Sequence, residues 1–333
     1  MDRQSPRSKP SVEGSHQGVL KTREQGILTM RIGLIGFGKT GQAVASVILH
    51  NPDISLEWIV RNSDRLAHRS GPEFLGVSSS DPGTIYPRPE FRIEELLDRY
   101  PVDAIIDFSS EDGVEYYGRE AARRGITIVS AVSHYSSVRR RQLRTLSRDT
   151  AVLWSPNITV GINFLILAAK TLSQIAPSAD VEIIEEHFKL KNGVSGTAKI
   201  IAESLGRKET EIKSIRAGGI IGVHEILFGF PFQTVRLRHE SISRDAFGAG
   251  AVFAAQKLSV LPPGLYKMED LLLPYFDGGR TKKSAERRRF SRYIHRLRIR
   301  RRPRVEVTEL ALPAVTVPDS VPPLPEPSGT LQR

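Results

Sequence analysis

The chain has 333 residues, with 48 Lys and Arg against 37 Asp and Glu, 39% hydrophobic residues and no Cys. That is the composition of an ordinary globular protein of one large or two modest domains. Without cysteine there can be no disulfide framework, Cys-ligated zinc, iron–sulfur cluster or cysteine nucleophile, which fits a reducing, cytoplasmic setting. The longest apolar candidate, Ile162–Ala169, falls far short of the roughly 18 residues of a membrane span, so a soluble chain with no membrane partner is expected.

The formal charge of +11 is unevenly spread. Residues 280–304 hold 13 Lys and Arg against one acid, whereas residues 30–279 hold 29 of each sign. The body is neutral, and the basic run reads as a solvated tail whose contacts with nucleic acid or an acidic surface would be weak, non-specific and salt-dependent. Residues 1–29 are rich in Ser, Gly, Gln and charge and have no apolar signal core, so they read as a disordered extension, with Met30 an alternative start. From Pro303 to Arg333 there are seven prolines, a linker-like stretch, so both ends are expected to be disordered.

From Met30, short apolar runs alternate with helical stretches. Strands are predicted at Arg31–Ile35, Ser55–Val60, Ala104–Phe108, Thr127–Val129 and Val152–Trp154. Helices are predicted at Gly41–His50, Arg92–Tyr100, Gly113–Arg124 and Val138–Arg148. This alternation predicts a parallel sheet covered on both faces. After residue 156 the texture changes. A long apolar helix, Gly161–Ile175, is followed by a strand at Val181–Glu185, a Gly/Ser loop, a helix at Ala198–Leu205, and β-like runs at Ile212–Ala217, His224–Gly229 and Thr234–Ser241. In the last run Val235, Leu237 and His239 alternate with Arg236, Arg238 and Glu240, the pattern of a half-exposed strand. A helix from Ala246 to Leu258 and a turn at Leu271–Leu273 finish the body. The expected class is α/β: an N-terminal Rossmann-type domain over 30–155, completed by about 241–275, a smaller α+β domain over 156–240, and disordered segments at 1–29 and 276–333.

Gly36-Phe37-Gly38-Lys39-Thr40-Gly41 lies between the first strand and the first helix, the context the dinucleotide fingerprint requires. The first glycine serves the tight turn, the second the approach of a pyrophosphate and the third close helix–strand packing. The phosphate then sits on the helix N-terminus. Gly33 with Gly38-Lys39-Thr40 also fits the P-loop pattern, leaving a P-loop nucleotide-binding protein as an alternative. The second strand ends in Arg61-Asn62 rather than in an acid, which favours a 2′-phosphate and hence NADPH over NADH. Glu57 could serve as the ribose acid only if that strand ended early.

The most informative stretch runs from Val181 to Ala198. A strand delivers His187 and Lys191 into a loop that ends in Ser195-Gly196-Thr197 at a helix start. Ser195 or Thr197 can cap that helix, and the free N–H groups of Gly196 and Thr197 form an anion cradle. Imidazole, ammonium and cradle together suit a reducible substrate that carries carboxylates.

With this block in view, the sequence resembles the dihydrodipicolinate (4-hydroxy-tetrahydrodipicolinate) reductase family. Further matches are Ile106-Asp107-Phe108-Ser109, Ser155-Pro156-Asn157, Val160–Asn163, Arg216-Ala217-Gly218 with Gly222-Val223-His224, and the ending Ser243-Arg244 to Gly250-Ala251 with Gly264-Leu265-Tyr266. The resemblance runs in order from Met30 to Leu272. It implies NAD(P)H-dependent reduction of a cyclic unsaturated dicarboxylate in diaminopimelate and lysine biosynthesis, and a homotetramer formed through the open sheet of the second domain. It implies that His187 is the acid/base and Lys191 the proton donor, with Ser195, Gly196 and Thr197 on a substrate carboxylate. Gly36, Phe37, Gly38, Lys39, Thr40 and Gly41 would hold the cofactor phosphates, and Arg61 its adenosine ribose. Ser130, Ala131 and Val132, together with Ser155, Pro156, Asn157 and Ile158, would line the nicotinamide side.

The sequence departs from the family at four places. A second histidine that binds carboxylate is Phe188, an Asp-Ala-Pro stretch is Asn192-Gly193-Val194, a Gly-Thr-Thr-Gly turn is Ser130–Ser133, and the segment from Ala198 to Arg216 is short. The first two leave a diverged NADPH-binding member with another substrate as an alternative. His134, His224 and His239 show no metal-ligand spacing, so no metal is expected. Gly193-Val194-Ser195-Gly196 does not match the GxSxG elbow.

Overall fold

The computed structural model describes residues 29–276; the readings made above for residues 1–28 and 277–333, including the basic run, lie outside the described residues. The first half alternates β1 (Met30–Ile35), α1 (Lys39–Leu49), β2 (Ile54–Arg61), α2 (Gly71–Leu75), β3 (Thr84–Pro87), α3 (Ile93–Arg99), β4 (Ala104–Asp107), α4 (Gly113–Arg124), β5 (Thr127–Ser130), α5 (Ser137–Leu146) and β6 (Ala151–Trp154). The second half runs α6 (Val160–Ile175), β7 (Asp180–His187), α7 (Gly196–Ser204), β8 (Ile212–Arg216), β9 (Val223–Gly229), β10 (Thr234–Glu240), α8 (Asp245–Leu258), β11 (Gly264–Tyr266) and α9 (Met268–Phe276).

Seven parallel strands form one sheet in the order β11-β6-β5-β4-β1-β2-β3. Its central strands read as unbroken apolar runs because helices cover both faces. On one side α1 and α8 bury Val44, Ala45, Ile48, Ala251, Ala255 and Leu258. On the other, α3, α4 and α5 bury Leu96, Leu97, Val114, Tyr117, Leu143 and Leu146. Strand order reverses at β1, which lies between β2 and β4, and such a switch point opens a crevice at the C-terminal ends of these strands.

The second sheet, β10-β9-β7-β8, is mixed, with only β7 and β8 parallel. Ile183, Ile212, Ile226 and Phe228 pack on α6 and α7 through Ile162, Ile166, Ala198 and Ile201. By the two-residue period, Ile184, Ile215, Leu227, Arg236 and Arg238 lie on the opposite face.

The α/β class and the order of its elements agree with the sequence reading, with three corrections. Leu271–Leu273 is no turn but the middle of α9. The sequence reading has no element between Arg61 and Arg92, where the structure has α2 and β3, and none at β11. Gly33 sits inside β1, paired with Trp58, and a Cβ there would come within 2.2 Å of the Trp58 ring. It is therefore a packing glycine in a strand and cannot open a phosphate-binding loop, which removes the P-loop reading.

Candidate active site

Two clusters of predicted residues stand at the C-terminal end of the seven-stranded sheet. The first surrounds a cleft of about 390 Å³ between the ends of β1, β2 and β4, lined by Gly36, Phe37, Gly38, Arg61, Arg88 and Ser109 among others. Gly36 adopts φ +94°, a conformation that glycine reaches without strain, and a Cβ there would meet the Phe108 carbonyl at 2.7 Å. At Gly38 a Cβ would have no neighbour within 4 Å, so the turn leaves room for a ligand to approach the backbone. At Gly41 a Cβ would lie 2.1 Å from the Gly36 carbonyl oxygen, so helix and turn pack without a side chain between them. Gly38 is the N-cap of α1 and no side chain caps it, which leaves the N–H groups of the Lys39–Gly41 turn as an uncapped, positively polarised end. This geometry fits a pyrophosphate. The Phe37 side chain turns away into the core against Phe74, so that residue offers only its backbone.

Strand β2 runs on to Arg61, which leaves Glu57 deep in the strand, bonded by Ser55 Oγ at 2.8 Å. Across the β2–β3 pairing the Arg88 N–H donates to the Arg61 carbonyl at 2.7 Å, and the Arg88 guanidinium lies 5.5 Å from the centre of the Tyr116 ring. Among the described residues neither arginine is in an ion pair. Arg88 was not legible in the sequence because β3 was not. Beneath the cleft Asp107 is fully buried and accepts from Ser109 N, Ser109 Oγ and Tyr117 Oη at 2.8, 2.6 and 2.9 Å. Burial outweighs these donors and pushes its carboxyl up to about 6.

The second cluster joins the ends of β5 and β6 to the four-stranded sheet. Ser130, Val132 and Ile158 are buried, so only their backbone can face a ligand, whereas Pro156 is exposed. Ser130 Oγ pairs with Tyr135 Oη at 2.9 Å, Ala131 N donates to the Asp107 carbonyl at 2.9 Å, and Ser155 N donates to the Ser130 carbonyl at 3.0 Å. Asn157 Oδ1 accepts from Thr197 Oγ1 at 2.9 Å, tying this loop to the Ser-Gly-Thr turn. These residues do not line the 390 Å³ cleft; through Asn157 they are tied to Thr197 at the start of α7 instead.

Ser195 is the residue that caps α7. Its Oγ accepts from Ala198 N at 3.0 Å and pairs with His224 Nε2 at 2.9 Å, so the hydroxyl is committed within the protein. Gly196 and Thr197 open the helix with their N–H groups free of intrahelical partners.

Strand β7 alternates Ile183, Glu185 and His187 on the helix-covered face, so the apolar core hands over to chemistry within one strand. Glu185 is wholly buried. Ser214 Oγ donates to its Oε1 at 2.6 Å, Arg216 Nη2 donates to the same oxygen, and His187 Nδ1 lies against Oε2. Burial raises the Glu185 carboxyl, but Arg216, Ser214 and His187 together hold it below the usual range. His187 is lowered, first by burial, against the pull of Glu185 and with Lys191 and Arg216 adding to the fall. His224, edge-on to His187 with ring centres 5.4 Å apart, is lowered to about 4 by burial and then by His187. Both rings are therefore neutral near pH 7. One donor atom each of Glu185, His187 and His224 lies within 4.8 Å of the others, a grouping invisible to linear spacing. Arg216 and Lys191 beside it make the locality cationic, and no metal is assigned there. Phe188, next to His187, is half exposed, and His134 is a solvated loop residue.

The profile described as Dihydrodipicolinate reductase, N-terminus, matches residues 30–158, and that described as Dihydrodipicolinate reductase, C-terminus, matches residues 161–272. A 4-hydroxy-tetrahydrodipicolinate reductase of Caldanaerobacter subterraneus subsp. tengcongensis is 31% identical over 227 residues, 61% of this chain and 90% of that one. The enzyme of that name from Hahella chejuensis is 29% identical over 269 residues, 73% of this chain and 98% of that one. The solved structure of a dipicolinate-bound dihydrodipicolinate reductase from Paenisporosarcina sp. TG-14 is similar with a TM-score of 0.60 at 22% identity, over 73% of this chain and 99% of that one. At that identity it attests the fold.

Proposed function

The chain belongs to the dihydrodipicolinate reductase family, and on that premise we propose that it reduces 4-hydroxy-tetrahydrodipicolinate to tetrahydrodipicolinate with NADPH, using His187 and Lys191 as its acid/base pair. The family activity is NAD(P)H-dependent and belongs to diaminopimelate and lysine biosynthesis. The observation that supports the reading is the hydrogen bond from Thr197 Oγ1 to Asn157 Oδ1, which ties the Ser195-Gly196-Thr197 turn to the loop after β6, at the end of the sheet that bears the glycine turn.

When bound, the nicotinamide supplies the hydride. The uncapped end of α1 holds the pyrophosphate, and Arg61 with Arg88 holds a 2′-phosphate, which supports NADPH over NADH. The N–H groups of Gly196 and Thr197 hold one substrate carboxylate. Lys191 delivers a proton to the reducing ring, and His187, neutral and desolvated, carries a proton on or off beside it. The reaction consumes one NADPH and one proton and releases NADP+ and water.

The test is NADPH oxidation by the full chain, with substrate made in place from pyruvate and aspartate semialdehyde by dihydrodipicolinate synthase. Turnover is expected, and Lys191→Ala should lower kcat by about 10²–10⁴-fold while leaving NADPH binding intact. Phe188 supports a second reading, because an apolar ring cannot donate to a carboxylate where the family resemblance implies a histidine. NADPH binding without turnover would favour that diverged substrate.

The open face of the four-stranded sheet supports a homotetramer, since no described element covers it and Glu225, within it, is buried against Arg236 and Arg238. No helix among the described residues is long and apolar enough to cross a membrane, and a cytoplasmic setting is the natural one for this chemistry.

A further inference from the structure

Two separate features of the site lead to one side chain. Strand β8 pairs with β7 in a register that sets Ser214 opposite Glu185 and Arg216 opposite His187. Arg216, the last residue of β8, sends its guanidinium back across that pairing. Nη2 donates to Glu185 Oε1 and to the Gly193 carbonyl at 2.6 Å, and Nε donates to the Lys191 carbonyl at 3.1 Å. One planar group thus holds the acid beneath His187 and two points of the loop that carries Lys191.

The other oxygen of Glu185 meets His187 Nδ1, and neither of these two atoms has a hydrogen-bond partner elsewhere. A lone pair on Nδ1 would face a carboxylate, so the ring proton resides on Nδ1 and the lone pair on Nε2. Nε2 lies beside Gly222, where even a Cβ would come within 3.0 Å. The absence of a side chain at 222 keeps that nitrogen clear.

We propose that Arg216 is a positioning residue that presets the acid/base pair, fixing the His187 tautomer through Glu185 and the Lys191 loop through the Lys191 and Gly193 carbonyls. The proposal rests on the reading of His187 and Lys191 as that pair. A lysine cannot replace the arginine, because a single ammonium lacks the rigid fork that reaches a carboxylate and two carbonyls together. A positioning residue moves kcat through geometry and shifts the titration of its neighbour in a direction set by charge. The charged and titratable groups around His187 are Glu185, Lys191, Arg216 and His224. Removing Glu185 takes away the group that favours the imidazolium. Removing Arg216 takes away a cation and leaves Glu185 less neutralised.

The experiment compares Arg216→Gln, Arg216→Lys and Glu185→Gln in the full chain, reading kcat, KM, the pH dependence of kcat/KM and the ¹⁵N spectrum of labelled histidines. Arg216→Gln should lower kcat on the order of 10²-fold and move the His187 limb to higher pH. Glu185→Gln should move that limb to lower pH and lose the Nδ1–H signature of His187. Arg216→Lys should keep the wild-type limb while kcat still falls at least about tenfold, and it decides the matter if Arg216→Gln does not fold. Retention of kcat within about twofold in Arg216→Lys and in any folded Arg216→Gln would overturn the proposal, as would an Nε2–H tautomer for His187 in the wild-type protein. The spectrum needs no turnover. A chain inactive on this substrate but showing the Nδ1–H tautomer, lost in Glu185→Gln and weakened in Arg216→Gln, would therefore fail the substrate reading while supporting the positioning one.

Discussion

The proposed preference for NADPH turns on a single side chain, Arg61. It ends β2 at the rim of the cleft, with Arg88 beside it and, among the described residues, no carboxylate paired to either. A charge-assisted hydrogen bond is worth about 1.5–3 kcal/mol, so Arg61→Ala should raise the KM for NADPH by about 10- to 100-fold and leave that for NADH almost unchanged. Steady-state kinetics with the two cofactors measures the ratio, and equal losses for both would refute the assignment. Arg61 was legible because it follows directly on an apolar strand. Arg88, Glu185, Arg216 and His224 were not legible as partners, because their company comes from strand pairing. The register that sets Glu185 against Ser214 joins residues 29 apart, and no local pattern encodes it.

Elements followed the same logic. Long strands and helices with clear periods fell within a residue or two of their observed bounds, as for α4 and for β2. The elements missed are short or carry contrary residues. Strand β3 has four residues, follows Pro82-Gly83 and ends in Pro87; β11 has three residues and begins with Gly264. Helix α9 contains Pro274, and its consecutive leucines at 271–273 show no helical period. The β9–β7–β8 face was legible only through the alternation of single strands. If four chains meet there, light scattering of the purified protein should report the mass of a tetramer, and Glu225→Lys, which places like charges together among Arg236 and Arg238, should shift it towards smaller species. A monomeric wild type would refute the assembly.

The stability of the whole molecule should carry the signature of Asp107. Its carboxyl is raised to about 6 by burial, so the folded state holds a proton that the unfolded chain releases near 4. Its contribution is therefore full below about pH 4 and is lost as pH rises through about 6, a change on the order of 3 kcal/mol. Asn at 107 keeps an acceptor for Ser109 and carries no charge. Relative to wild type, Asp107→Asn should become progressively more stable in denaturant unfolding between pH 4 and pH 7. A pH-independent difference would show that the donors around the carboxylate compensate its burial.

The margins of the two sheets differ in a way that bears on how copies of this chain can meet. The parallel sheet is bounded by β3, whose terminal Pro87 has no N–H to offer, and by β11, only three residues long. Such blunted borders resist the addition of a foreign strand. The smaller sheet is bounded by β8, five residues long, and by β10, seven residues long and bearing Arg236 and Arg238, a short and a charged border that also discourage continuous strand-by-strand growth. If copies of this chain associate as proposed, such borders disfavour open-ended ribbons and favour closed assemblies made by stacking sheet faces, which stop at a finite number of subunits.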